Sequence, residues 1–297
     1  MKRIIICVLC LLLLCGCSGG NMQNKSDKVT VVATIFPLYD FARAVGGECV
    51  NVKMLIRPGS EVHSYDPLPS DMVDIYNSDL FLYIGGESDE WVDTLLAGTN
   101  VNSLSFINLV SGEQGHEHHG HNHTDEHIWT SPKIAVSMIE NICQSLIEID
   151  PENADVYTKN QDEYTKKINS ASKEISAVVN QSEQPFLLVA DRFPFESFVE
   201  EYGIEHEAAF GGCAVSTDIS LKTMTRLTET IEKRDLKSVY CTELSSRNIA
   251  KALNGELGVE IIELHSAHNV TLDDFNSGIT YVDILYKNVK ALERGLE

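Results

Sequence analysis

This sequence predicts an α/β fold of two lobes with mainly parallel sheets, joined by one long rigid helix. Three observations carry that expectation. Short apolar runs rich in β-branched residues alternate with helically patterned stretches, which is the rhythm of a parallel sheet with crossover helices. The rhythm occurs twice, at residues 29–33, 50–56 and 80–84 and again at 186–190, 207–210, 238–241 and 259–263. Between the two sets lies a polar stretch of nearly thirty residues, which as a helix would span ~40 Å at about 1.5 Å per residue.

Taken from the N-terminus, residues 1–16 read as a targeting segment. Lys2 and Arg3 precede an apolar run at residues 4–14. That run is too short for the roughly 20 residues a membrane-spanning helix needs, so it reads as the core of a cleaved signal peptide. Leu14-Cys15-Gly16-Cys17 follows and resembles the box at which bacterial lipoproteins are cut, leaving Cys17 as a lipid-modified N-terminus. Residues 17–27 are then a flexible polar tether.

The first lobe is expected over residues 28–149, opening with the strand at 29–33 and a Phe36-Pro37 turn. Residues 150–181 form the linker helix, with Asp150 as N-cap, Pro151 at the first helical position and Glu152 in the first turn. Along it Tyr157, Gln161, Tyr164, Ile168, Ala171, Ile175 and Val178 recur three and four apart, a single stripe on an otherwise polar helix. The second lobe is expected over residues 182–297.

A net charge of −21 argues against nucleic acid and suits the attraction of cations. Cys7, Cys10 and Cys15 leave with the signal and Cys17 takes the lipid, so Cys49, Cys143, Cys213 and Cys241 remain. None has a CxxC spacing. They read as free, buried small residues, with one disulfide as the alternative in a compartment that permits pairing.

The densest chemical signal lies at residues 112–127, which hold six of the ten histidines, interleaved with Glu117, Asp125 and Glu126. Imidazole at that density selects zinc, copper or nickel over magnesium or calcium. His116, His118, His119, His121 and His123 read as a low-affinity loop, whereas His127, beside Trp129 and the helix-initiating Ser131-Pro132, sits where it can be ordered. His63 lies in a Pro- and Gly-rich loop end that can hold a ligand with little entropy to lose. His265 and His268 follow an apolar strand, and Asp191 ends another. Strand ends are where open α/β domains gather their ligands.

Two segments resemble motifs of the metal-specific solute-binding proteins of bacterial ABC importers, the family that takes up zinc or manganese. His63-Ser64-Tyr65-Asp66-Pro67-Leu68-Pro69 is similar to that family's His-x-Tyr-Glu-Pro-x-Pro, and His127-Ile128-Trp129-Thr130-Ser131-Pro132 to its His-x-Trp-x-Ser-Pro. A His-rich insertion before the second motif resembles the zinc branch. The resemblance covers residues 29–296 and implies two α/β lobes with the metal in the cleft between them, His63 and His127 being the first-lobe ligands.

In the second lobe the sequence departs from the family. An ungapped match counted back from Tyr202-Gly203 puts Arg192 at a ligand position, which a permanently charged guanidinium cannot fill. A one-residue shift puts Asp191 there. His265 stands for the last ligand, with Glu243 and His268 held as residues that orient a ligand from behind or replace one. Three histidines with a carboxylate favour zinc as cargo over manganese. With a reference histidine pKa near 6.5, affinity should fall from about pH 7 to 5.

The resemblance thus implies a monomeric extracytoplasmic receptor, lipid-anchored to the cell membrane, that captures Zn2+ and delivers it to an ABC permease. Receptors for manganese or another divalent metal, and a metal-dependent surface adhesin, are the alternatives in the same class. A zinc hydrolase is the rival from another class. The sequence lacks a His-Glu-x-x-His helix and any general base beside a ligand, which points away from an enzyme.

Overall fold

The computed structural model describes residues 28–63, 65–111, 125–212 and 220–296. Its two sheets share one topology. In the first, β1 (Val29–Ala33), β2 (Val50–Met54), β3 (Leu80–Tyr83) and β4 (Ser103–Ser105) pair in the order β2-β1-β3-β4. In the second, β5 (Phe186–Phe193), β6 (Glu205–Gly211), β7 (Ser238–Cys241) and β8 (Glu260–Glu263) pair in the order β6-β5-β7-β8. Every pairing is parallel, so each connection must cross over, and helices cover both faces. The polar β4 is the strand the apolar pattern did not show, because all three of its residues are only partly buried.

The helices of the first lobe are α1 (Phe36–Gly46), α2 (Pro69–Tyr76), α3 (Glu90–Leu96), α4 (Asn108–Ser111) and α5 (Pro132–Ile149). Phe36-Pro37 is therefore a helix start, not a turn. Proline in the first turn gives up no hydrogen bond there, since those N–H groups have no intrahelical acceptor. Ser131 caps α5, its Oγ accepting from the Ile134 N–H at 3.2 Å.

α6 (Ala154–Val179) joins the lobes. Asp150 does not cap it. A 3-10 turn at Pro151–Asn153 intervenes, and the Asp150 carboxylate instead accepts from Asn153 Nδ2 and the Tyr157 hydroxyl, each at 2.7 Å. Its buried stripe is Tyr157, Tyr164, Ile168, Ala171, Ile175 and Val179, with Gln161 and Val178 at its margins. Burial of each large apolar member contributes about 1.5–3 kcal/mol.

The second lobe adds α7 (Glu196–Tyr202), α8 (Leu221–Arg234), α9 (Asn248–Leu257), α10 (Leu272–Ser277) and α11 (Tyr281–Gly295). One apolar core runs through both lobes, taking in β1, α1, α5, α6, β5 and α11, while smaller cores lie under α2 and α3 and under α8 and α9. The fully buried Asp40 of α1 ties that shared core together. It accepts from the Tyr164 hydroxyl of α6, from Arg43 Nη2 at 2.8 Å and from the Tyr281 N–H of α11 at 2.9 Å. Burial raises its pKa against the lowering pull of those three bonds.

Among the described residues no helix is long and apolar enough to cross a membrane. Cys49, Cys143 and Cys241 are free thiols, the last two buried. Cys213, Cys17, the signal segment, the tether and the histidines at 116–123 lie outside the described residues.

Candidate metal centre

Three histidines from distant parts of the chain converge where the two sheets' strand ends meet. His63, His127 and His268 each offer a ring nitrogen, and these atoms lie within 4.8 Å of one another. Tetrahedral zinc with bonds of about 2.0–2.1 Å sets its ligand nitrogens about 3.3 Å apart. Ring movements on the order of 1 Å bring this set to that geometry.

His127 is the most firmly placed. It precedes a 3-10 turn at Ile128–Thr130, its carbonyl accepting from the Thr130 N–H at 3.0 Å and hydroxyl at 2.7 Å. Its ring is 1% exposed, and Nδ1 lies 2.8 Å from the Asp125 carboxylate. A carboxylate there holds the proton on Nδ1 and leaves the Nε2 lone pair outward, the arrangement of a metal-binding imidazole with its supporting acid. Nε2 is buried with no partner among the described residues, a costly state unless something fills it.

Gly212, just past β6, closes over this ring. A Cβ there would stand 3.4 Å from the His127 ring and 2.7 Å from the Phe193 carbonyl, so no larger residue fits. Glu126, next to His127, turns away and fastens the end of the His-rich tract to the first lobe. Its carboxylate accepts from the Ser88 N–H at 3.0 Å. Nearby Asp89 accepts from the Ile84 and Gly85 N–H groups, yet burial, with Glu126 adding to it, pushes its pKa up to about 6.

His63 stands in the loop after β2. Tyr65 donates to Asp71 at 2.8 Å, and Asp71 also accepts from the Leu68 N–H at 2.9 Å, which locks the Pro-rich segment onto the start of α2. The other side of the loop is strapped to the second lobe. The Gly59 N–H donates to the Val270 carbonyl at 2.8 Å, and Asn269 Nδ2 donates to the Arg57 and Ser60 carbonyls at 2.9 Å. Asn269 and Val270 directly follow His268, so one set of bonds positions both histidine loops.

The second-lobe half differs from the sequence expectation at both residues. His265 is not in the cluster. Its ring is buried within the lobe, Nδ1 accepting the Ala267 N–H at 3.0 Å, while its backbone exchanges two bonds with the Asn288 side chain of α11 at 2.8 Å. Ala267 then takes the left-handed conformation, φ 61°. The chain reverses there, and His268 enters the cleft, its ring 4.8 Å from Trp129 and 5.0 Å from His127. Glu243 supports this reversal from behind. Its carboxylate accepts from the Ser266 N–H at 2.7 Å and the His268 N–H at 3.2 Å.

Asp191 lies outside the cluster as well. A β-bulge in β5 sets Val189 opposite Ala208 but Arg192 opposite Phe210. Two residues of β5 thus face one of β6, and the alternation of side chains shifts there. Asp191 accepts from the Thr242 hydroxyl at 3.0 Å and from the Arg192 N–H at 2.9 Å. Arg192 is the residue that crosses the cleft, its Nη1 3.2 and 3.3 Å from the Glu61 carboxylate oxygens. The sequence reading did not single out Glu61, and a lone glutamate two residues before His63 carries no signal of its own.

Burial favours the neutral form of His63 and His268. His63 is lowered to about 4, by desolvation first and then by His127. His268 is lowered well below its ordinary value by desolvation, then by His127, His63 and Arg192. Neutral imidazole is the form that ligates a metal.

Two α/β lobes on one linking helix, with three imidazoles gathered in the cleft, define a metal-binding solute-receptor architecture. The chain belongs to the family described as zinc-uptake complex component A, periplasmic, whose model matches residues 31–295. It is 28% identical over 309 residues to the zinc-binding lipoprotein AdcA of Streptococcus pneumoniae, an alignment covering 99% of this chain and 61% of that protein. The chain thus spans under two thirds of that relative's length. It is 26% identical over 304 residues to the high-affinity zinc uptake system protein ZnuA of Bacillus subtilis, covering 97% of this chain and 95% of that one. The Zn(II)-bound ZnuA-like domain of Streptococcus pneumoniae AdcA superposes with a TM-score of 0.77 at 27% identity, covering 91% of this chain and 99% of that structure.

Proposed function

We propose that this protein is an extracytoplasmic receptor that captures one zinc ion in the cleft and delivers it to an ABC permease. His63, His127 and His268 are its protein ligands. The observation that carries the reading is the His127 ring, held by Asp125 with a buried Nε2 that has no partner among the described residues, in a cluster with two further imidazoles, one from each lobe. Zinc accepts three nitrogen ligands and a fourth group without geometric penalty, whereas manganese prefers oxygen. The relatives named for zinc binding support the same cargo. Cys17, lipid-modified, would hold the receptor as a monomer at the membrane surface, and the histidines at 116–123 would raise the local zinc concentration beside the cleft. A receptor of this kind releases its cargo unchanged, so no turnover accompanies binding.

Calorimetry with His268→Ala and His265→Ala tests the ligand set. We expect His268→Ala to weaken the tight zinc site by more than about a hundredfold, beyond what loss of a supporting group causes. His265→Ala acts only through the shape of the loop and should weaken it less than about tenfold. Wild-type affinity in His268→Ala would overturn the assignment.

A further inference from the structure

The loop that carries His268 is bonded to the first lobe on both sides of that histidine. On one side stands Trp129, 1% exposed in the turn that follows His127. Its indole Nε1–H donates to the Ser266 carbonyl at 2.8 Å, two residues before His268. Its ring lies 5.4 Å from the His127 ring and 4.8 Å from the His268 ring. The Trp129 backbone is fixed in turn, its carbonyl accepting from the Tyr281 hydroxyl of α11 at 2.6 Å. On the other side stands Asn269, 3% exposed. Its Nδ2 donates to the Arg57 and Ser60 carbonyls of the His63 loop at 2.9 Å, and its Oδ1 accepts from the Val270 N–H at 2.8 Å. Ser266 and Asn269 thus bracket His268 with bonds to the two chain segments that carry His127 and His63. Each bond comes from a buried side chain and ends on a backbone carbonyl, so removing the donor leaves that carbonyl unsatisfied and loosens the loop. A ligand binds tightly only when the residues around it lock its position.

We propose that Trp129 and Asn269 are positioning residues for zinc capture. Through bonds across the lobe boundary they set the place of His268 relative to His127 and His63, so one hydrogen-bonded unit spanning both lobes holds all three ligands. They act through His268 and are not ligands themselves. This rests on the three-histidine reading above.

The test uses the full chain. Benzothienylalanine, the sulfur isostere of tryptophan, keeps the double ring and lacks the N–H. It is placed at position 129 in Trp91→Phe, because the chain has two tryptophans. Relative to Trp91→Phe it should weaken the tight zinc site about fivefold to tenfold, and Asn269→Ala should weaken it at least about tenfold, since each leaves a backbone carbonyl without its donor. In the metal-free protein both changes should speed amide hydrogen exchange at Ser266 and His268 while leaving β7 and β8 unchanged. In a His268→Ala background neither should lower the residual zinc affinity further, because a residue that acts only through a ligand has nothing left to position. Equal losses with and without His268 would show general destabilisation and overturn the proposal, as would wild-type exchange in both variants. Full zinc affinity in His268→Ala would overturn the ligand set on which the proposal rests. Dependence on His268 with unchanged affinity in both variants would sink the positioning role alone.

Discussion

The two halves of the candidate metal centre are built differently. In the first lobe, His127 and its supporting acid Asp125 stand two residues apart, and the ring is held by its own side-chain bond. In the second, His268 is held through its backbone, by Glu243 from a different strand end and by a left-handed turn at Ala267. Local support can be read along the chain. Support assembled from residues about twenty-five positions apart cannot, and the two expected ligands that stand outside the three-histidine cluster, His265 and Asp191, fall on that side.

The comparison is broken most directly by removing the two supporting acids. Asp125→Ala frees the His127 ring to rotate and to lose its tautomer, and zinc affinity is expected to drop about 10–100-fold. Glu243→Ala leaves the His268 ring intact but releases two backbone N–H groups, so the drop should be smaller and accompanied by faster amide hydrogen exchange at Ser266 and His268. Equal losses of affinity without that exchange signature would mean that the halves are supported alike.

A smaller effect concerns pH. His63 is lowered to about 4 and His268 is also lowered, so between there and the ordinary histidine value near 6.5 the unfolded chain binds protons that the folded chain does not. The stability contributed by these neutral imidazoles is complete above about pH 6.5 and is lost as pH falls toward 4. Protons compete with zinc at His63 only at the lower end of that window. The share of the affinity loss that comes from His63 is therefore displaced from the ordinary histidine range toward about pH 4. Zinc titrations at stepped pH check this, and a steep fall already at pH 6.5 would show that these rings are solvated.

The smallest expected effect is at Ala267. Its φ of 61° is a conformation that disfavours a Cβ and suits glycine. Ala267→Gly should raise stability by no more than about 1 kcal/mol, read as a modest rise in Tm, because relief of the strain is partly offset by greater unfolded-chain entropy. A fall in Tm would show that the alanine methyl, buried against the shared core, matters more than the backbone.

The doubled α/β rhythm, the linker helix with its buried stripe and the two motifs that bring His63 and His127 into the cluster are legible along the chain, since each rests on local periodicity or on residues within one short motif. His63 within its Pro-rich loop and His127 before Trp129 and Ser131-Pro132 were legible for that reason. Tertiary structure alone decided which side chains of the second lobe enter the cleft. The bulge in β5 shifts the alternation so that Arg192 crosses to Glu61 while Asp191 turns to Thr242. The reversal at Ala267, stabilised by Glu243 and Asn288, keeps His265 inside the lobe and sends His268 out. A shift of one residue in a strand, or a single positive φ, reverses which side chain faces a cleft. What fixes either is hydrogen bonding to distant parts of the chain, which a local pattern does not encode.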